Sequence, residues 1–265
     1  MNVLSRSLRC STNDRRCALA VMAKAPLAGT VKTRLVPPLT AAEAAGLSAC
    51  FIRDMAENIA QLDDTDGPDG VIAYTPDGAQ AAFDGLLPAG FKLLPQRGAM
   101  LGERLLNATE DLLACGYESL CLINSDSPTL PAELLRDALT RLAQPGDRVV
   151  LGQSADGGYY LIGLKRPHRA LFERIAWSTA DVLAHTVERA AEINLAVELL
   201  PAWYDVDDET SLHQLCAELF GSSEQHAERN GLRGYAAPHT RRYLAQLLRA
   251  EPEHILAQRW SAAED

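Results

Sequence analysis

Three cationic residues follow a short apolar run close to the start of the sequence. Lys24, Lys32 and Arg34 come after the apolar residues 18–23. Lysine and arginine neutralise phosphate oxygens, and Gly29 lets backbone amides approach an anion closely. The types and spacing of these residues therefore predict a site for a polyphosphate. The alternative is a basic loop that contacts only solvent.

Carboxylates on two later segments could complete such a site. Asp126 comes two residues after the apolar run 119–124. Mg2+ in phosphate-binding sites uses one or two protein carboxylates together with substrate phosphates, so Asp126 and one further carboxylate would suffice. Asp205 and Asp207 are the candidates for the second carboxylate, and we expect only one of them to be a ligand. The sequence leaves open which one it is, and capping of the following helix is the alternative for Asp207 and Asp208.

A glycine-containing turn is a candidate for the acceptor side of the site. Asp156, Gly157 and Gly158 form a turn in which glycine permits positive φ and close backbone approach, and Tyr159 follows them. These four residues could line an acceptor pocket. They could equally form only a hairpin turn, because an Asp-Gly pair between two strands is a strong hairpin signal.

Trp177 and Ser178 are further candidates because they open a predicted helix. The free N–H groups at a helix start can hold an anion. The alternative is a capping box between Ser178 and Asp181, which would start the helix without binding any ligand.

These candidate residues lie at the ends of predicted secondary-structure elements. Apolar runs bounded by glycine, proline and polar residues predict strands at 18–23, 71–75, 91–94, 119–124, 148–151, 159–164 and 196–200. Helical spacing and capping boxes predict helices at 40–62, 101–115, 131–143, 178–194 and 209–219. No helix fits between 148–151 and 159–164, so this pair is expected to be antiparallel. We therefore expect an α/β protein with a mostly parallel mixed sheet, in which the basic loop and Asp126 lie at one sheet edge.

The composition argues against several classes of function. The chain has 265 residues and a formal net charge of −10, which does not provide the basic surface that nucleic-acid binding requires. No apolar run approaches the roughly 18 residues of a membrane span. The six cysteines have neither metal-binding nor C-x-x-C spacing and are expected to be reduced thiols. We therefore expect a cytoplasmic protein without nucleic-acid or membrane partners; its oligomeric state is unknown from the sequence.

Three regions differ in character along the chain. Residues 1–17 contain four arginines but no apolar signal-peptide segment, and we expect them to be a disordered leader. Residues 18–220 carry all the candidate site residues and are expected to form one nucleotide-binding domain. Residues 221–265 are polar at first and then weakly amphipathic, which predicts a helical extension without chemistry of its own.

Five segments, taken in order, carry a family resemblance. They are Lys24-Ala-Pro-x-x-Gly-x-x-Lys-Thr-Arg-Leu35, Asn124-Ser-Asp-Ser-Pro-Thr-Leu130, Asp156-Gly-Gly-Tyr-Tyr160, Trp177-Ser-Thr179 and Tyr204-Asp-Val-Asp207. Together they resemble the bacterial family of uncharacterised transferases named for association with radical-SAM and selenium-domain proteins. That family is similar to the GT-A superfamily of nucleotide-diphospho-sugar transferases. The resemblance covers about residues 18–220 and implies a GT-A three-layer sandwich, a nucleotide or nucleotide sugar, a small-molecule acceptor, and Mg2+ or Mn2+ as cofactor.

Two features favour one reaction within that superfamily. Many GT-A glycosyltransferases carry an Asp-x-Asp pair for the metal, whereas this chain has Asp126 between two serines. The Lys-Thr-Arg-Leu loop resembles that of the phospholactate guanylyltransferases, as do the Gly-Gly turn and the terminal Asp-Val-Asp. The expected reaction is therefore nucleotidyl transfer from a nucleoside triphosphate to a phosphorylated acceptor, with release of pyrophosphate. Glycosyl transfer from a nucleotide sugar and a nucleotide-binding module without catalysis are the alternatives.

The resemblance also implies a role for each candidate residue. The catalytic residues, which would neutralise the departing pyrophosphate, are Lys24, Lys32 and Arg34. The metal ligands would come from Asp126, Asp205 and Asp207. The nucleotide would contact Ala23, Gly29, Thr33 and Ser125. The acceptor would contact Asp156, Gly157, Gly158, Tyr159, Trp177 and Ser178. No general base is expected, because a phosphate acceptor is already ionised near neutral pH.

Overall fold

Eight strands form a central sheet, and helices cover both of its faces. The computed structural model describes residues 2–4, 17–62, 67–221, 228–229 and 231–250. The strands of the sheet are β1 (Asn2–Val3), β2 (Cys17–Lys24), β3 (Asp69–Thr75), β4 (Lys92–Pro95), β5 (Ser119–Asn124), β6 (Arg148–Ser154), β7 (Tyr159–Leu164) and β8 (Ala196–Trp203). The helices are α1 (Ala41–Ala60), α2 (Leu101–Ala114), α3 (Ala132–Ala143), α4 (Val182–Glu192), α5 (Glu209–Phe220) and α6 (Pro238–Ala250). A separate antiparallel pair consists of β9 (Glu228–Arg229) and β10 (Leu232–Arg233).

The sheet is parallel except at one strand. Its order is β1-β4-β3-β2-β5-β7-β6-β8, and β7 runs antiparallel to both β5 and β6. The remaining neighbours pair in parallel. The predicted α/β architecture with a mostly parallel mixed sheet is therefore confirmed, including the antiparallel arrangement of the two strands that flank the glycine turn.

β2 is buried on both faces of the sheet. Leu19 and Val21 belong to the hydrophobic core that includes residues of α1, whereas Ala18 and Ala20 belong to the core that includes residues of α2. A strand between two such cores carries apolar side chains at successive positions, which explains its uninterrupted apolar run in the sequence. Two hydrophobic cores therefore fix the strand from which the cationic loop begins.

Capping boxes are predicted at the starts of α1 and α4, and the structure contains the first of them. The Thr40 hydroxyl accepts the Glu43 N–H at 3.2 Å, and the Glu43 carboxylate accepts the Thr40 N–H at 2.7 Å. The prediction of a helix that starts at Ser178 is wrong, because α4 begins at Val182 and Ser178 has a left-handed φ of 65°. Residues in that conformation do not continue a right-handed helix, so the segment forms a loop instead.

The amino-terminal end of the chain contributes the edge of the sheet. β1 pairs in parallel with β4, and Leu4 is buried in the core on the α2 side. This pairing corrects the prediction of a disordered leader for residues 2 to 4. Residues 5–16, and with them Cys10, lie outside the described residues. The five described cysteines are free thiols, and four of them are buried.

The carboxyl-terminal helix α6 packs against α1. Leu244 is buried in the same core as the apolar face of α1. The carboxylate of Asp54 on α1 accepts the backbone N–H groups of His239 and Thr240 at 3.0 and 2.8 Å, so α1 caps the start of α6. In the predicted helical extension, residues 222–227, 230 and 251–265 lie outside the described residues. Among the described helices, none combines the length and the apolar character needed to cross a membrane.

Candidate active site

A cavity of about 650 Å³ opens at the carboxyl ends of β2 and β5. Its lining includes residues of the cationic loop (24–34) and residues that follow β5. It also includes the start of α2, the glycine turn before β7 and the loop before α4. Open α/β sheets bind ligands at the carboxyl ends of their parallel strands, so the cavity lies where the topology predicts a site.

Lys32 joins the basic and acidic parts of the predicted site. Its side chain is only 5% exposed, and its Nζ lies 2.6 Å from Asp126 Oδ1 and 3.0 Å from Asp207 Oδ1. Nζ also donates a hydrogen bond to the Val206 carbonyl oxygen at 2.6 Å. The ammonium group has three N–H donors, so these three acceptors use all of them. In this structure no N–H donor of Lys32 is left for a ligand, and its contact with pyrophosphate stays a prediction.

Two opposing effects act on the charge of Lys32. Burial alone would lower the pKa of the ammonium group, because it disfavours the charged form. Asp126 and Asp207 outweigh burial through Coulomb attraction and hydrogen bonding, and the pKa of Lys32 is raised. Lys32 therefore carries a positive charge between two carboxylates at neutral pH.

The structure separates the two candidate aspartates near residue 206. Asp207 lines the cavity and shares Lys32 with Asp126. Asp205 Oδ1 instead accepts a hydrogen bond from the Ser154 hydroxyl, with an Oγ–Oδ1 distance of 2.7 Å. Burial raises the pKa of Asp205, an effect that the hydrogen bond from Ser154 partly offsets. Residues i and i+2 of a regular strand face the same side, so this divergence reflects the irregular backbone after β8, which ends at Trp203.

Backbone hydrogen bonds hold the two acidic segments together. The Val206 N–H donates to the Asp126 carbonyl oxygen at 2.9 Å. Asp208 caps α5 by accepting the Ser211 N–H at 2.8 Å, so the capping alternative applies to Asp208. Asp208, rather than Asp207, therefore caps α5, and Asp207 lines the cavity.

The other candidate residues of the cationic loop, Lys24, Thr33 and Arg34, are more exposed than Lys32. Lys24 donates to the Thr30 carbonyl oxygen at 2.8 Å, which leaves two of its N–H donors for a ligand. Thr33 and Arg34 are exposed and line the cavity. Gly29 has φ of 75°, the left-handed conformation for which glycine is suited.

Two residues predicted to bind the nucleotide are placed differently from each other. Ser125 lines the cavity, and its hydroxyl donates to Asp126 Oδ1 at 3.3 Å. Ala23 is 1% exposed within β2 and packs in the core on the α1 side. The structure therefore does not bring the Ala23 side chain to the cavity.

Five of the six predicted acceptor-binding residues line the cavity. They are Asp156, Gly158, Tyr159, Trp177 and Ser178. Gly157 instead has φ of 91° and packs so closely that an added Cβ would lie 2.1 Å from the Ala180 carbonyl oxygen. Its own carbonyl oxygen accepts the Leu183 N–H at 3.0 Å, so the turn is fastened to the start of α4.

Sequence reasoning missed an apolar part of the cavity wall. Leu101 and Leu105 line the cavity, although helical spacing predicts both as core residues of α2. Leu105 is 5% exposed, whereas Leu101 is 46% exposed. Asn124 is a further lining residue that the sequence did not single out. The position of Leu101 at the first turn of a helix, directly after an exposed loop, is the signal that could have identified it.

The donor groups at the cavity suit a divalent cation held by two carboxylates. The Asp126 and Asp207 side chains are 33% and 45% exposed, so each keeps carboxylate surface that Lys32 does not cover. Two carboxylates with phosphate oxygens and water form a typical Mg2+ environment. Among the described residues, Asp54, Glu57 and His239 form the group of three whose possible ligand atoms all lie within 4.8 Å of one another. The three predicted metal ligands, Asp126, Asp205 and Asp207, do not form such a group. Asp54 in that group already caps α6 with both of its oxygens.

Comparisons with known proteins agree with this architecture. Residues 58–179 match the model of a family described as an uncharacterized protein conserved in bacteria (DUF2064). The structure of a candidate nucleotide-diphospho-sugar transferase from Desulfovibrio desulfuricans G20 superposes on this one with a TM-score of 0.71, and the two sequences are 32% identical. The match covers 86% of this chain and 98% of that chain. CMP:2-keto-3-deoxy-manno-octonic acid synthetase complexed with CTP is 12% identical with a TM-score of 0.50, over 76% of this chain and 97% of that chain, a likeness of fold alone. No curated protein matches the chain. The predicted nucleotide-diphospho-sugar transferase fold is therefore confirmed.

Proposed function

We propose that this protein transfers a group from a nucleotide-activated donor to a small molecule. The chain belongs to the family of the candidate nucleotide-diphospho-sugar transferase from Desulfovibrio desulfuricans, and this membership supports the proposal. The reaction that we favour is nucleotidyl transfer from a nucleoside triphosphate to a phosphorylated acceptor. The observation that carries this proposal is the arrangement of Asp126 and Asp207 on either side of Lys32, next to the exposed cations of the loop.

Charge at the cavity supports a polyphosphate as the donor group. Lys24 and Arg34 are exposed at the cavity, where they can contact the β- and γ-phosphates and neutralise charge that develops on the leaving pyrophosphate. Asp126 and Asp207 would hold a divalent cation, Mg2+ or Mn2+, which supplies positive charge at the α-phosphate when it is bound. The single carboxylate of the Ser-Asp-Ser segment and the Lys-Thr-Arg loop, which resembles that of the phospholactate guanylyltransferases, favour nucleotidyl over glycosyl transfer.

The proposed reaction forms one bond and breaks one. An oxygen of the acceptor phosphate attacks the α-phosphorus, and the bond between that phosphorus and the α–β bridging oxygen breaks. The bridging oxygen and its electron pair leave with pyrophosphate. The acceptor phosphate is already ionised, so the residues of the cavity act by positioning the reactants and by charge neutralisation rather than by removing a proton.

Lys32 has a positioning role in this proposal. Two carboxylates close to each other repel, and the buried ammonium group between them offsets that repulsion. Lys32 therefore keeps Asp126 and Asp207 oriented towards the cavity before a nucleotide arrives. This role differs from direct contact with pyrophosphate, which we assign to Lys24 and Arg34.

The proposed function is tested with a panel of nucleoside triphosphates and nucleotide sugars, each with Mg2+ or Mn2+. We expect triphosphates to raise the unfolding temperature in a metal-dependent way, and pyrophosphate to be released when phosphorylated acceptors are added. Asp126→Asn should remove the metal-dependent part of nucleotide binding. Asp84→Asn is the matched control, because Asp84 is exposed and does not line the cavity.

Different results would favour the alternatives. Stabilisation by nucleotide sugars alone, with release of a nucleoside diphosphate, would replace nucleotidyl transfer by glycosyl transfer. Binding of nucleotides without turnover for any acceptor would favour a nucleotide-binding module. Unchanged nucleotide affinity in Asp126→Asn would contradict the placement of the metal.

A further inference from the structure

The cavity has an apolar part that the proposed reaction does not yet use. Its wall is formed by side chains from α2, from β7, from the loop before α4 and from the first residue of α4. These are Leu101, Leu105, Tyr159, Trp177 and Val182. Leu101 lines the cavity and is 46% exposed. It therefore offers carbon surface that a ligand can cover.

The aromatic part of this wall is held in place by packing. Trp177 contacts Tyr159 edge-on, with ring centroids 6.5 Å apart and an interplanar angle of 79°. On its other side Trp177 fits against Gly102, where an added Cβ would lie 2.7 Å from the indole Nε1. The wall is therefore formed before a ligand binds, which lowers the entropic cost of binding.

The five side chains of this wall offer few polar groups to a ligand, although Asp156 and Ser178 also line the cavity. The hydroxyl oxygen of Tyr159 is inaccessible to solvent, and burial raises the pKa of that hydroxyl far above its ordinary value. The Thr179 hydroxyl at the edge of the cavity donates to the Ala176 carbonyl oxygen at 2.7 Å. Sugar hydroxyls or the polar edges of a nucleobase would lose hydrogen bonds to water where they contact the carbon surface of these five side chains.

We infer that the acceptor is a phosphate monoester whose alcohol part is apolar, such as an aryl or branched alkyl group, rather than a sugar phosphate. This inference rests on the proposed function for its phosphate end, which would lie near Asp126 and the exposed cations. The apolar end would lie against Leu101 and Trp177. The same cavity is lined by charged residues and by carbon-rich side chains, which matches a ligand that carries both kinds of group.

The inference is tested by binding of two phosphate monoesters of equal charge to the full chain. Titration calorimetry with Mg2+ present compares phenyl phosphate with glucose 1-phosphate, and inorganic phosphate serves as the reference. We expect phenyl phosphate to bind at least about tenfold more tightly than glucose 1-phosphate. Trp177→Ala and Leu101→Asn should each lower the affinity for phenyl phosphate about fivefold or more and leave the affinity for inorganic phosphate unchanged.

Leu199→Asn is the matched control for Leu101→Asn, because both leucines are 46% exposed and Leu199 does not line the cavity. Equal or tighter binding of glucose 1-phosphate, or no binding of either ester, would overturn the inference. A loss of nucleoside triphosphate affinity in Trp177→Ala, with phenyl phosphate binding unchanged, would assign the wall to the nucleobase and would also overturn it. Absence of triphosphate binding and of pyrophosphate release would contradict the proposed function. These measurements are separate from the comparison of the two esters, so the two failures can be distinguished.

Discussion

Substitution of Lys32 by methionine removes the charge between two carboxylates while it keeps an unbranched side chain. The loss of one partner from a fully buried ion pair costs about 3 to 5 kcal/mol, because the remaining charge lacks compensation. Asp126 and Asp207 are 33% and 45% exposed, so water can solvate them partly once Lys32 is absent. We therefore expect Lys32→Met to lower the free energy of unfolding by about 2 to 3 kcal/mol.

A decrease of this size is measurable by denaturant unfolding and by thermal unfolding. For a chain of this length it corresponds to a decrease of roughly 4 to 12 °C in the unfolding temperature. Lys24→Met is the matched control, because Lys24 is exposed and its ammonium group donates to one backbone oxygen. We expect the control to change the free energy of unfolding by less than about 0.5 kcal/mol.

The same substitution has a second consequence, for metal affinity in the absence of nucleotide. Without Lys32, the carboxylates of Asp126 and Asp207 keep their negative charge and lose its compensation. A divalent cation can then supply that compensation, so Lys32→Met should bind Mn2+ more tightly than the natural chain does. Electron paramagnetic resonance of free Mn2+ measures this affinity, and added Mn2+ should raise the unfolding temperature of Lys32→Met more than that of the natural chain.

Two results would refute this reasoning. Equal stability of Lys32→Met and Lys24→Met would mean that the buried ammonium group does not stabilise the carboxylate pair. Unchanged Mn2+ affinity together with a large loss of triphosphate affinity in Lys32→Met would mean that Lys32 contacts phosphate directly, as the sequence alone predicts.

Three further predictions concern other parts of the site and the fold. Burial raises the pKa of Asp205, so ionised Asp205 destabilises the folded state. Asp205→Asn should therefore increase the free energy of unfolding at pH 7, and this gain should be lost as the pH falls through the raised pKa. The same variant should retain metal-dependent nucleotide binding in calorimetry. Asp54→Ala should cost about 2 kcal/mol in denaturant unfolding and weaken hydrogen-exchange protection in α6, because the cap on its first N–H groups is lost. Gly29→Ala should destabilise the chain by roughly 1 kcal/mol through left-handed backbone strain. Gly157→Ala should destabilise it by more, because the added Cβ would also lie 2.1 Å from a backbone oxygen, whereas nothing lies within 4 Å at Gly29. Equal unfolding free energies of the two variants would contradict this.

The sequence predicts the sheet and its functional edge well for a physical reason. Each strand near the site is a short apolar run that ends at glycine, proline or a polar residue, and these signals are local. The runs at 119–124 and 159–164 match β5 and β7 at both ends. The sequence leaves open which of Asp205 and Asp207 reaches the site, and the structure assigns Asp207 to the cavity.

Other features depend on contacts between distant residues and could not be read from local patterns. The pairing of Lys32 with Asp207 joins positions 175 residues apart, and no spacing rule indicates that it uses all three N–H donors of the lysine. The start of α4 differs from its capping signal because Ser178 takes a left-handed conformation. Leu101 fits the helical repeat of a core residue, and only the position of the neighbouring elements leaves it open to the cavity.

The sequence separation of Lys32 and Asp207 also has a consequence for the order of assembly. At synthesis rates of about 5 to 20 residues per second, the 175 residues between them take roughly 9 to 35 s to make. During that interval Lys32 has been synthesised without the second of its two carboxylates and without the Val206 carbonyl oxygen. The complete carboxylate pair therefore forms only after all eight strands of the central sheet have been synthesised. A nascent chain that ends at β8 carries Lys32 with Asp126 but without Asp207 and the Val206 carbonyl oxygen.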